Sequence, residues 1–278
     1  MSVPVLTATL LALAAAVLHA GWNLWVKQSG DRWIALWGQM TMAGIGGIII
    51  TAFVGLPPHF VWWPAVASGL IHLYYIVALA RSYDLADFSV TYPIARGSGA
   101  LLAAVGGVLF LDDHLSPLMI VGILIAIGGI MLLAGHADKA HVRAALIVGS
   151  FIACYSLVDS HGSRVNSGHL YALLIFTTTG FFATVHGLMA GRRRQMVAAM
   201  KSSWMRFTAA GAASALTYWM VMLAVRRAPV GYVTALRESS VVIVALVGTR
   251  YLGEEGLKRR VTAAVIVLAG LVVLVLGR

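Results

Sequence analysis

Arg96 and Arg237 each lie inside a long apolar run. Arg96 stands ten residues into its run, roughly 15 Å along a helix that rises about 1.5 Å per residue. A charge at mid-bilayer costs at least about 2.5–3.5 kcal/mol on insertion scales. A side chain kept there at that cost faces a cavity or a partner. A guanidinium holds a carboxylate or phosphonate through two parallel hydrogen bonds, which lysine does less well. Pro93 precedes Arg96, and Gly97 and Gly99 follow it. This pattern fits a broken, glycine-lined helix beside a buried cation, with tying of helices through an acid or carbonyls as the plainer alternative. Glu238 adjoins Arg237, but neighbours on a helix point about 100° apart and need not pair. His19 and Asn23 share a helical face with Trp22 alongside, and Tyr155 and Asp159 repeat the spacing. Tyr75 shares the face of His72, and Tyr92 and Trp219 add aromatic surface for a cavity wall. His72, Asp159 and Glu238 are the candidates to couple movement of a solute to protons.

These residues must be held by helices. The chain has 278 residues, 60% of them hydrophobic and 11% charged, with a mean hydropathy of +0.89. Soluble domains carry about 25% charged residues, so lipid is the natural solvent here. Ten apolar runs are read as spans: 3–25, 33–54, 62–81, 86–111, 117–135, 143–163, 169–190, 204–226, 230–252 and 260–277. The longest connection is then Gly191 to Ser203. The first run is too long for a signal peptide and lacks a basic start, so it reads as the first span. The net charge of +10 sits in short loops, which fits membrane orientation rather than nucleic acid. By this division fourteen Lys and Arg fall on one side and four on the other. The positive-inside rule puts the fourteen in the cytoplasm and both termini outside. Cys154 is the only cysteine, so no internal disulfide forms. No spacing of His, Cys or carboxylates matches a metal site, and no Gly-Lys loop cradles phosphate. No cofactor is expected.

The halves repeat. An offset of 141 pairs Tyr92-Pro93-Ile94-Ala95-Arg96-Gly97-Ser98 with Val233-Thr234-Ala235-Leu236-Arg237-Glu238-Ser239, Leu111-Asp112-Asp113 with Leu252-Gly253-Glu254, and Gly129 with Gly270. An offset of 136 pairs His19 with Tyr155 and Asn23 with Asp159. Each half holds five spans, so the second sits upside down relative to the first, a pattern common in transporters. The expected fold is an all-α membrane protein of ten transmembrane helices in two inverted five-helix repeats, residues 1–139 and 140–278. Inversion sets His19 and Asn23 toward the cytoplasm and Tyr155 and Asp159 toward the outside, as linings of two gates.

With its arginine in the fourth span of each half and a Leu-Gly-Glu-like end about seventeen residues on, the chain resembles the drug/metabolite transporter superfamily, EamA type. Ala228-Pro229-Val230, Arg237-Glu238 and Leu252-Gly253-Glu254 carry the likeness in the second half. The first half departs from it at Leu111-Asp112-Asp113. His19-Ala20-Gly21-Trp22-Asn23 with Lys27 is similar to a subgroup from phosphonate-utilisation contexts. The resemblance implies export of amino-acid-like compounds across a bacterial inner membrane. The arginines point to anionic or zwitterionic solutes. The expected partners are a small-molecule substrate, membrane lipids and protons, with no nucleic acid. The alternatives are a membrane-embedded enzyme, which gathers its polar groups near one interface, and an accessory membrane protein, which has no need of repeat-matched arginines.

Overall fold

Long apolar runs in lipid satisfy their backbone only as helices or closed barrels. The computed structural model describes residues 3–27, 29–56, 59–85, 88–134, 138–166, 170–240 and 257–277. Among them there are ten helical segments and no strand. They are α1 (Val3–Lys27), α2 (Arg32–Val54), α3 (Trp63–Leu85), α4 (Phe88–Phe110), α5 (Pro117–Ala134), α6 (Lys139–Val165), α7 (Tyr171–Met189), α8 (Arg193–Val225), α9 (Val230–Arg237) and α10 (Leu257–Leu276). Six of these (α1, α2, α3, α6, α7 and α8) are long and apolar enough to cross a membrane, and α4, α5 and α10 contain shorter apolar stretches. Outward-facing Ile48, Phe53, Leu109, Phe110, Leu124 and Val272 are exposed, as lipid-facing surface is. The expected span over 241–252, with Leu252-Gly253-Glu254, lies outside the described residues.

Local chemistry sets the helix ends. Asp31 caps α2, accepting from Ile34 N at 3.0 Å, and Asp138 caps α6, accepting from Ala140 N at 2.8 Å. Gly55 closes α2 and Gly191 turns α7 into α8, with φ of +79° and +71° that L side chains rarely adopt. The expected loop from Gly191 to Ser203 is corrected here: helix resumes at Arg193. α8 therefore has 33 residues, about 50 Å at about 1.5 Å per residue, well beyond the roughly 30 Å of hydrocarbon. Buried Met196 anchors the extension against Gly187 of α7, while the basic residues stay outside.

The packing comes in exchangeable pairs. α1 lies on α8 and α3 on α6; α2 lies on α8 and α3 on α7; α4 lies on α6 and α1 on α9. Two further pairs, α2 with α7 and α5 with α10, are their own counterparts under the same exchange. Their seams are self-similar at atomic detail. A Cβ on Gly44 would stand 2.8 Å from Phe176 O and 3.1 Å from Thr177 Cα. A Cβ on Gly180 would stand 3.0 Å from Met40 O and 3.1 Å from Thr41 Cα. Gly44, Met40 and Thr41 become Gly180, Phe176 and Thr177 by adding 136. In the other seam Gly129 abuts Val267 N and Ala263 O, and Gly270 abuts Ala126 N and Gly122 O. There the shift is 141 throughout. In both seams the contacting positions run in opposite directions along the two helices, so each pair is antiparallel.

Candidate functional site

Arg96 and Arg237 converge in one buried cluster, each no more than 5% exposed. Close packing of α4 brings Arg96 in: Gly99 sits against Ile152 and Gly149 of α6, and Gly107 against Val230 of α9. Ala103, the third small residue of that four-residue spacing, is fully buried. The helix runs through Pro93 to reach Arg96. Glu238, at the end of α9, pairs with Arg96 and not with its neighbour. Arg96 Nε donates to Glu238 Oε2 at 3.2 Å and Nη2 to Oε1 at 2.7 Å, a two-pronged bond in the protein interior. The plainer sequence alternative, Arg96 tied through an acid, therefore describes this conformation. Arg237 stands within electrostatic reach of Arg96, Glu238, Tyr155 and Tyr218. Its buried Nε has no hydrogen-bond partner among the described residues.

A second group adjoins the first. Asp159 is fully buried. It accepts hydrogen bonds from Tyr218 of α8 and, at 3.3 Å, from Tyr171 at the start of α7. Ser68 of α3 is within hydrogen-bonding reach of the same carboxylate. His72 stacks on Tyr155, their ring centroids 4.2 Å apart, and Tyr75 meets Tyr155 edge-on at 5.5 Å. His72 Nδ1 is 2.9 Å from the Ser68 carbonyl oxygen, which accepts its proton, and 3.1 Å from the Ser68 hydroxyl. Tyr155 is within electrostatic reach of Arg237, Arg96, Asp159 and Glu238, and so joins the two groups.

His19, buried and edge-on to Trp22 at 4.6 Å, lies within electrostatic reach of Arg96 and Arg237. Tyr155 faces the same two cations. His19 and Tyr155, which match by the offset of 136, thus both lie near the two arginines. The side chains of Asn23 and Tyr92 lie outside what the structure describes. Trp219 is half-buried on α8; its neighbour Tyr218, passed over in the sequence, reaches Asp159. Tyr171 and Ser68 were also missed, since neither has a polar counterpart in the other half to mark it.

One end of the bundle is closed by a third buried carboxylate. Asp113 accepts from Arg164 Nη2 at 2.8 Å and from Val230 N, the first amide of α9, at 2.6 Å. Arg164 also donates to Val225 O and Leu111 O. Asp112 takes a positive φ of +54°, at the position where the second half has Gly253. The cavities beside Arg192, Arg143 and Phe207 are lined by residues other than those of the central cluster. Among the described residues no His, Cys, Asp or Glu cluster has the makings of a metal site.

No family model matches the sequence, and no curated protein matches it. Among solved structures, one protein crystal structure superposes over 98% of both chains with a TM-score of 0.78 at 17% identity. That likeness establishes a shared fold across the full length and says nothing of activity.

Proposed function

We propose that this protein is a multi-pass secondary transporter of the EamA type in a bacterial inner membrane. In this reading ten spans form two inverted five-helix repeats, residues 1–139 and 140–278. The solute is small and amino-acid-like, carrying an anionic group, and it is exported by alternating access, with protons as the coupling ion. The observation that carries the reading is the convergence of repeat mates. Arg96 and Arg237, and likewise His19 and Tyr155, meet in one buried polar cluster. Such convergence is expected when a site lies on the axis relating two halves, because rocking the halves exposes the site to either side in turn. The self-similar glycine seams of α2 with α7 and α5 with α10 support the inverted arrangement.

The cluster also suggests how a solute is held. Glu238 already neutralises Arg96, so Arg237, with an unsatisfied Nε, is the group available to a solute anion. Asp159, held by two tyrosines, is the acceptor for an ammonium or hydroxyl. His72, Tyr75 and Tyr155 form the aromatic wall. The burial of both arginines corresponds to an occluded conformation, with the Asp113–Arg164 contact sealing one end. The test is flux in proteoliposomes loaded with amino acids, organic acids or phosphonates. Saturable movement of at least one class, lost in Arg237→Gln, is expected. Folded protein that moves none of the three, with or without a pH gradient, would refute the reading.

A further inference from the structure

At the opposite end of the bundle from Asp113, the starts of α2 and α8 and the ends of α3 and α7 surround an open basin of about 450 Å³. Its lining carries three guanidinium groups, Arg32, Arg81 and Arg192, and one carboxylate, Asp31. Asp31 is already engaged on both oxygens. Oδ1 accepts from Ile34 N at 3.0 Å and Oδ2 accepts from Arg192. Arg192 is fixed in place: its Cζ lies 4.5 Å over the Trp33 ring and its Nε donates to Gln195 at 2.9 Å. Arg81, exposed at the end of α3, has no ion pair among the described residues. In the wall behind, Trp33 Nε1 and His186 Nδ1 are buried without a protein hydrogen-bond partner.

With Asp31 engaged on both oxygens, the basin keeps donors at Arg81 and Trp33 and has no uncommitted carboxylate among its described lining residues. Membrane orientation accounts for basic residues at this end of the bundle. It does not account for a concave site in which one guanidinium is pre-positioned by stacking. The complementary guest has several acceptor oxygens, no donors of its own at the contact and more than one negative charge. A phosphate group meets that description. Arginine forks match its geometry, and the volume lies within the range of small-molecule sites. We propose that this basin binds a phosphate-bearing anion, supplied by the head group of an anionic lipid or by a phosphate ester in the water phase. The site is separate from the Arg237 cluster and does not depend on the transport reading.

The test uses the full chain in neutral detergent and in phosphatidylcholine nanodiscs. Phosphatidylglycerol and inorganic phosphate are titrated separately, with chloride at matched ionic strength as the control, and binding is followed by thermal unfolding and native mass spectrometry. Saturable binding of at least one of the two is expected, weakened at least fivefold in Arg81→Gln and less in Arg81→Lys. Binding of the lipid alone identifies the membrane as the source, and binding of phosphate in a phosphatidylcholine background identifies the water phase. Arg81→Lys keeps the charge, so it reports on the site even where Arg81→Gln lowers the yield of folded protein. Stabilisation that chloride reproduces, or binding unchanged in both Arg81→Gln and Arg32→Gln, would overturn the proposal.

Discussion

The Arg96–Glu238 pair offers a quantitative test of the central cluster. Removing one partner of a buried ion pair costs about 3–5 kcal/mol, because the other charge is left uncompensated. Here the two single substitutions are not equivalent. Arg96→Gln leaves Glu238 within reach of a second cation, Arg237, and belongs at the low end of that range. Glu238→Gln leaves Arg96 and Arg237 facing one another with their nearest carboxylate gone, and belongs at the high end. The double variant Arg96→Gln/Glu238→Gln puts two neutral amides opposite each other, so its loss is expected to be no greater than about 3 kcal/mol, the lower bound for a broken pair. The interaction term, the amount by which the single losses exceed additivity, is then several kcal/mol, above the usual 0.5–3 kcal/mol or so for contacting residues. The eight tryptophans give the signal for thermal unfolding in detergent. At about 2–4 °C per kcal/mol, Glu238→Gln lowers Tm by on the order of 10–20 °C and the double variant by clearly less. Additive losses, or Arg96→Gln proving the more damaging single, would show that the assigned charge partners are wrong.

Arg237→Lys keeps the cation and gives up no protein hydrogen bond from Nε, which has none. Its Tm should stay within a few degrees of the parent. Solute flux should fall at least tenfold, since a charged hydrogen bond is worth about 1.5–3 kcal/mol. Tyr218→Phe takes one donor from the buried Asp159 and is expected to cost about 1–3 kcal/mol in denaturant unfolding, with Tyr171→Phe, whose bond is longer at 3.3 Å, costing less. In the α5–α10 seam a Cβ on Gly270 would lie 2.4 Å from Ala126 N, whereas one on Gly128 meets nothing within 4 Å. Gly270→Ala should therefore destabilise by about 1–3 kcal/mol and Gly128→Ala should be neutral or stabilising; equal effects would contradict the seam.

Most of the frame was legible because hydropathy and glycine spacing act locally. Each apolar run is helical where the described residues cover it, and Arg96 and Arg237 mark matching positions in the two halves of the sequence. The sequence repeat needs two offsets because its register slips from 136 to 141 between the first runs and the last. The structure accounts for the slip. α8 is ten residues longer than α3, and the turn before it is five residues shorter than the Gly55–Trp62 connection, a net gain of five. That extra helix is polar and basic outside and held by Met196 inside, so by hydropathy it reads as loop. The partners of the central charges were less legible. Which carboxylate meets Arg96 depends on how α9 rotates against α4, and Gly107 against Val230 sets that contact. The hydroxyls on Asp159 come from three helices far apart in sequence, and no local pattern announces them.

In the proposed repeat reading the frame is symmetric and the site is not, and that difference bears on what the site would accept. Glu238 has Gly97 as its repeat mate, and a Cβ on Gly97 would already be 2.6 Å from Met131 Cε. A side chain at that position in the first half would have to displace the flexible end of Met131. Asp159 likewise has the neutral Asn23 as its mate. Both buried carboxylates of the central cluster come from the second half, one neutralising Arg96 and the other held by Tyr171 and Tyr218. On the proposed function a solute in this cluster would meet, on Arg237, a guanidinium donor unsatisfied among the described residues and, across Tyr155, a carboxylate. Two like-charged ends cannot both be satisfied, since one of them must face Asp159, and like charges at close range cost several kcal/mol when desolvated. A zwitterion should therefore outcompete a dicarboxylate of the same length, by tenfold or more for about 1.4 kcal/mol of difference. Asp159→Asn should narrow that preference by relieving the repulsion. Competition between an α-amino acid and the matching dicarboxylic acid for flux in proteoliposomes measures it. A parent protein that prefers the dicarboxylate, or an Asp159→Asn variant with an unchanged ratio, would mean that Asp159 does not face the solute.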